Sequence, residues 1–370
     1  MEDPFFQRAA IIGTGLMGGS LGMALIERRL VGEVVGYDRD PAVMAEAVAA
    51  GAIHRSAPSP VEAVKEADLV IIAVPVGTVI PVLTAIAPRL ETGALVTDVA
   101  STKREIMAAA TRLLPPGVFF AGGHPMTGSE LAGIRGADPY LYENAVYVIC
   151  PGPGLPASLR EKFERLVAAL GARPVVVDPE AHDRAVAAVS HLPHLVAAAL
   201  VTGAEDAGAE EGLIYLLAAG GFRDSTRIAG GDPGLWRDIC LSNRDCILQA
   251  LCSFTRRVEE VAAALEKGDG PAIEEFLRRA REGRERFPAK LKGYLPVLHE
   301  IVLSLPDRPG AIARVATLLA EAGINIDEIE ILRVREGDGG SIKLGFKRER
   351  VAEDALALLQ REGYRAHLRR

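Results

Sequence analysis

The chain has 370 residues, enough for two or three domains at roughly 150 residues each. With 49% apolar and 25% charged residues it can build packed cores, which excludes a disordered chain. The net charge of −7, from 42 Lys+Arg against 49 Asp+Glu, excludes a general nucleic-acid binder; an anionic small molecule needs only a few local Arg and His residues.

Residues 1–178 alternate short apolar runs with helical patterns. The runs end at Ile12, Tyr37, Val74, Val99, Ala121, Ile149 and Val177. They are rich in Val and Ile and apolar at consecutive positions, as parallel strands buried on both faces are. Helix starts are marked by Asp40-Pro41 and by the capping box Ser59-Pro60-Val61-Glu62. The pattern predicts a Rossmann-like, doubly wound α/β domain with a parallel sheet.

After the first strand comes Gly13-Thr14-Gly15-Leu16-Met17-Gly18, opening a helix. Gly13 permits the turn, Gly15 lets the backbone approach a pyrophosphate, and Gly18 lets helix and strand pack closely. The helix start, with Leu16 and Met17, offers free N–H groups to phosphates. Asp38, 20 residues after Gly18, is placed to accept from a ribose 2′-OH and to repel a 2′-phosphate. It favours NAD over NADP, a preference that Arg39 next door softens.

Two segments end neighbouring strands. Asp98 to Lys103 ends one, with Ser101 expected as the N-cap of the next helix. Gly122-Gly123-His124-Pro125-Met126-Thr127-Gly128-Ser129-Glu130 ends the next, so His124 sits where open α/β sheets bind ligands. Residues 179–295 read as long helices without strands. Within them, Ser190-His191-Leu192-Pro193-His194 puts two histidines at i and i+3, without the acidic or Cys partners a metal would require. Gly220 to Ala229 and Asp232 to Asp238 follow. There Arg227 can fork onto a carboxylate, and Trp236 is the only tryptophan.

Ala185–Ala204 is apolar enough to raise a membrane span, but Ser190, His191, Pro193 and His194 point to a buried helix instead. Cys150, Cys240, Cys246 and Cys252 form no disulfide framework and read as free thiols of a reducing compartment. Residues 1–8 do not read as a signal peptide, so a cytoplasmic protein is expected. The apolar content of Ala185–Ala204 and Cys240–Val261 exceeds what a peripheral cap buries, which points to a homodimer or to a large interface between two domains of one chain. Residues 296–370 run βαββαβ, with strands expected at His299–Leu305, Ile324–Val334, Ser341–Phe346 and Tyr364–Leu368. This is a small ferredoxin-like α+β module.

Taken together, the glycine loop, the segment around His124, the helix with His191 and His194, and the stretch Gly220–Ile239 resemble the prephenate dehydrogenase family over residues 8 to about 290. The tail, with Leu305 to Gly310 and Gly323 to Ile326, resembles an ACT regulatory domain. The resemblance implies three domains: 1–178 binding NAD, 179–295 for substrate and dimerisation, and 296–370 for regulation. It implies NAD-dependent oxidative decarboxylation of prephenate to 4-hydroxyphenylpyruvate, feedback-inhibited by tyrosine. His124 would be general base, with Ser101 orienting it and the hydroxyl. Arg227, His194, Trp236 and, less directly, His191 would bind substrate, and Asp307, Gly310 and Asn325 would bind the effector.

Two other readings stay open. Arogenate would use the same mechanism, with Asp206 or Glu210 as partner for its ammonium. A non-catalytic NAD-binding amino-acid sensor would bind NAD without turnover. A hydroxyacid-type reductase is disfavoured, because Ala181–Glu211 contains no Lys.

Overall fold

The computed structural model describes residues 3–128, 131, 133–208, 212–286, 299–305, 308–332 and 340–369. The chain divides into two compact units, residues 1–289 and 290–370. The larger begins with an eight-stranded sheet: β1 (Phe6–Ile12), β2 (Val31–Tyr37), β3 (Arg55–Ser56), β4 (Leu69–Ile72), β5 (Leu95–Asp98), β6 (Phe119–Pro125), β7 (Val146–Pro151) and β8 (Arg173–Val176). Their spatial order is β3-β2-β1-β4-β5-β6-β7-β8, so the winding reverses between β1 and β4, where such sheets open a ligand crevice.

Successive strand residues enter opposite cores. Ile11, Leu69 and Ile71 pack under α1 (Leu16–Glu27) and α6 (Ala157–Ala169). Ile12, Val70 and Ile72 pack against α3 (Pro60–Ala63), α4 (Val76–Ile86) and α5 (Arg104–Leu113). Asp40 caps α2 (Pro41–Ala49), and Ser59 caps α3 through the Glu62 amide.

The all-parallel expectation needs correction. β7 runs antiparallel to β6, pairing His124 with Val148, and β8 runs parallel to β7. A parallel return needs a crossover element. Among the described residues, the link from β6 to β7 supplies only a 3₁₀ turn at Ile134–Gly136. The pairing also extends β6 past its apolar run, so His124 stands in the strand itself.

The helical part starts with α7 (Pro179–Val186), capped by Asp178. A π turn at Ala187–His191 follows, then α8 (Leu192–Gly208). Pro193 has no N–H and its ring crowds the carbonyl four residues back, which accounts for the widened turn. Pro179–Ala207 has the length and apolarity of a membrane span. However, His182, Asp183 and His191 on it are buried, and each hydrogen-bonds elsewhere in the unit. Next come α9 (Leu213–Leu217), α10 (Gly220–Thr226), a 3₁₀ turn (Arg227–Gly230), α11 (Pro233–Ser242), α12 (Arg244–Glu266) and α13 (Gly270–Arg286). All four cysteines are free. Cys240 lies on α11, and Cys246 and Cys252 lie on α12.

The smaller unit contains β9 (His299–Leu305), α14 (Ala311–Glu321), β10 (Glu328–Leu332), β11 (Gly340–Phe346), α15 (Glu349–Arg361) and β12 (Ala366–Arg369). Its antiparallel sheet has the order β10-β11-β9-β12, covered by Val315, Leu319, Ala352, Ala355 and Leu359 of the two helices. The second strand begins at Glu328 and not at Ile324. Ile324 and Ile326 pack into the core, while the Asp327 carboxylate holds the Lys347 amide.

Candidate active site

The glycine loop lies at the reversal of the sheet. Gly13 has φ +96°, and a Cβ there would strike the Ala73 backbone. A Cβ on Gly18 would strike the Gly13 carbonyl, so both positions require glycine. Gly15 is different: it faces open space at the start of α1, where no side chain caps the free N–H groups of Leu16 and Met17. The Thr14 hydroxyl beside it is buried without a partner. Open backbone, free amides and an orphaned hydroxyl fit a dinucleotide pyrophosphate. Asp38 accepts from the Thr14 and Asp40 amides at 3.0 and 3.1 Å. Each of its oxygens keeps a lone pair for a ribose hydroxyl.

At the carboxyl end of β6, His124 Nδ1 lies 2.8 Å from His182 Nε2, and His182 Nδ1 lies 2.8 Å from Asp183 Oδ1. An ionised carboxylate only accepts, so the His182 proton sits on Nδ1 and its Nε2 accepts. His124 therefore donates from Nδ1, which leaves Nε2 as its lone pair. Burial is the main cause holding the His124 pKa well below 6.5, aided by His182, Lys103 and His191. Burial alone would raise the Asp183 pKa. Hydrogen bonds from His182 and the Arg104 and Lys103 amides outweigh it and hold the carboxyl below its usual value.

Asp183 also corrects the capping expectation. Ser101 does not cap the helix; α5 starts at Arg104. Its free amides, those of Lys103 and Arg104, donate to Asp183 at 2.8 and 2.9 Å. Ser101 stands half-buried in the loop between β5 and α5. That loop is fixed further by Thr102 on Ser242 at 3.0 Å and Arg104 on Asp245 at 3.1 Å. Beneath it, fully buried Lys103 pairs with Asp98, whose other oxygen accepts the Gly123 amide beside His124.

His191, which ends the π turn, and His194, on the first turn of α8, part ways. His191 is 1% exposed, and its Nδ1 meets Asn243 Nδ2 at 3.2 Å; the same amide donates to the Asp183 carbonyl at 2.8 Å. Burial takes the His191 pKa down to about 4. His194 lies flat on Trp236, with ring centroids 3.5 Å apart and planes at 13°. Burial lowers its pKa too. Gly231 touches both rings: a Cβ there would come within 2.6 Å of Trp236 Nε1 and 3.0 Å of His194 Cε1. Arg227 is exposed on the 3₁₀ turn that leads to Gly231 and packs against α8. Gly310, at φ +85°, starts α14, and exposed Asn325 sits in the loop before β10. Asp307 and Glu210 lie outside the described residues. Among the described residues, no group of three or more His, Cys, Asp or Glu is placed to hold a metal ion.

Comparison with known proteins decides the family. Three family descriptions match in order: "Prephenate dehydrogenase, nucleotide-binding domain" at residues 21–176, "Prephenate dehydrogenase, dimerization domain" at 178–279 and "ACT domain" at 299–361. The chain belongs to the prephenate dehydrogenase family. It is 35% identical to the prephenate dehydrogenase of Bacillus subtilis over 91% of each chain. The Aquifex aeolicus prephenate dehydrogenase, solved with hydroxyphenyl propionate and NAD+, is 29% identical, with TM-score 0.70 over 76% of this chain and 98% of that one. Synechocystis arogenate dehydrogenase is 28% identical, with TM-score 0.67 over 76% and 99%. The chain is thus an oxidoreductase of the prephenate dehydrogenase family with a C-terminal ACT domain.

Sequence reasoning missed four residues of this family member's site: His182, Asp183, Lys103 and Asn243. One signal was present. Asp183 and His194 are eleven residues apart, close to three helical turns, so the spacing puts them on one side of the helix, with His182 next to Asp183. Lys103 and Asn243 carry no local signal, because their partners lie on other elements.

Proposed function

We propose that the enzyme oxidises and decarboxylates prephenate to 4-hydroxyphenylpyruvate, with NAD as its cofactor. The observation that carries this reading is the His124 Nε2 lone pair at the carboxyl end of β6, held there through His182 and Asp183. The cofactor, when bound, supplies the hydride acceptor. His124 takes the C4 hydroxyl proton as the C4–H bond breaks. Loss of the ring carboxylate as CO₂ then aromatises the ring, and the proton returns to the phenolate oxygen. Ser101 orients the hydroxyl, and Arg227 binds a substrate carboxylate. His194, stacked on Trp236, walls the pyruvyl end, and His191 supports that wall from inside.

The exposed apolar side chains of α8 to α12, Leu200, Leu216, Leu241 and Leu248 among them, are the surface of a homodimer in this reading. Tyrosine is the effector of the ACT domain, bound near Gly310, Asn325 and Asp307, and the protein works in the cytoplasm. NADH formation followed at 340 nm with prephenate and NAD+, then with arogenate, NADP+ and added tyrosine, tests the reading. Fast prephenate turnover suppressed by tyrosine supports it. Turnover of arogenate alone moves the substrate, and no turnover with NAD still bound overturns it.

A further inference from the structure

His124 has to accept a proton where a charge is poorly tolerated. It touches His182, and the fields of Lys103 from the β5–α5 loop, which pairs with Asp98, and of His191 also oppose a positive charge there. Among the described residues, the carboxylate placed to neutralise a new positive charge here without a competing lysine is Asp183. It touches His182 and not His124. We propose that His124 and His182 form a two-histidine proton relay. The substrate proton enters at His124 Nε2, the His124 Nδ1 proton moves to His182 Nε2, and the positive charge rests on His182 against Asp183.

The step balances. The C4 O–H bond breaks, and its electron pair becomes the second C–O bond as hydride leaves C4. Two protons shift by one site each. No proton is lost to solvent: when CO₂ leaves and the C4 oxygen becomes a phenolate, both shifts reverse and the oxygen regains its proton. His182 and Asp183 are positioning residues in this scheme, because neither touches substrate. Asp183 also fixes the α5 amides, and Asn243 fixes the Asp183 carbonyl, so the relay and the loop bearing Ser101 share one anchor.

The inference rests on the proposed reaction, and its test separates the two. The wild-type enzyme is first shown to form NADH from prephenate; failure there sinks the reaction and not the tautomers. Nitrogen-15 NMR of the imidazoles, without substrate, is expected to place the His124 proton on Nδ1. A proton on Nε2 overturns the relay whatever the activity. Single-turnover NADH formation in mixtures of H₂O and D₂O is then expected to curve with deuterium fraction, as two protons move together; a linear dependence overturns the proposal. His182→Gln can still accept from His124 but cannot pass a proton on. It is expected to slow the chemical step by roughly 10- to 100-fold, part of a general base's contribution. Its KM for prephenate should be unchanged and its isotope dependence straight. A variant with wild-type rate and curvature refutes the relay. Should His182→Gln fail to fold, the wild-type NMR and isotope results still decide.

Discussion

The backbone amide of Lys103 donates to the carboxylate of Asp183 at 2.8 Å, although 80 residues separate them. This bond joins the sheet-bearing part of the enzyme to its helical part. It ends a helix on one side and orients a histidine on the other, so catalysis and stability share one carboxylate.

Replacing that carboxylate should therefore cost both. Asp183→Ala removes a cap worth about 0.5–2 kcal/mol. It also leaves the His182 Nδ1–H buried without a partner, at about 1–3 kcal/mol. A combined loss of roughly 1.5–5 kcal/mol is expected from urea unfolding followed by circular dichroism. A change under 0.5 kcal/mol would show that Asp183 anchors nothing.

The general base is tested at His124. His124→Asn should lower kcat by roughly 10²–10⁴, the usual contribution of a positioned base. NAD affinity, read by calorimetry, should not change, because the glycine loop follows β1, which β4 and β5 separate from β6. Near-wild-type kcat would remove His124 from the chemistry.

Acid should destabilise this fold through His191. Its pKa is near 6.5 when unfolded and about 4 when folded, so the unfolded chain binds the proton more readily. The contribution is complete above about pH 6.5 and is lost progressively as pH falls toward 4. His191→Gln should flatten the fall in urea midpoint between pH 7 and pH 4.5, relative to wild type. Parallel curves for the two proteins would contradict the burial argument.

The stack of His194 on Trp236 leaves no room for a side chain at residue 231. Gly231→Ala should push the rings apart and raise KM for prephenate about tenfold, the scale of a modest overpacking cost. Arg227→Ala should raise KM strongly through loss of a substrate carboxylate contact. Both should leave NAD affinity alone. An unchanged KM in either variant excludes that residue from the substrate pocket.

Local pattern was enough to place the cofactor end of the molecule. Consecutive Val and Ile residues have to be buried on both faces. Gly13 and Gly18 sit where any Cβ would strike backbone, and the Asp40 and Ser59 caps act within three residues of themselves. These are short-range constraints, and the sequence by itself determined them, along with His124 at the end of its strand. What only tertiary structure decided is every relation that spans elements. The reversal of β7 depends on a link that does not cross the sheet. The cap of α5 comes from Asp183 on another helix and not from nearby Ser101. The tautomer of His124 is set by His182, 58 residues on, and Lys103 is held by burial against Asp98. Hydrogen bonds reach only about 3 Å, so a side chain's partner is fixed by where folding brings it and not by its distance along the chain.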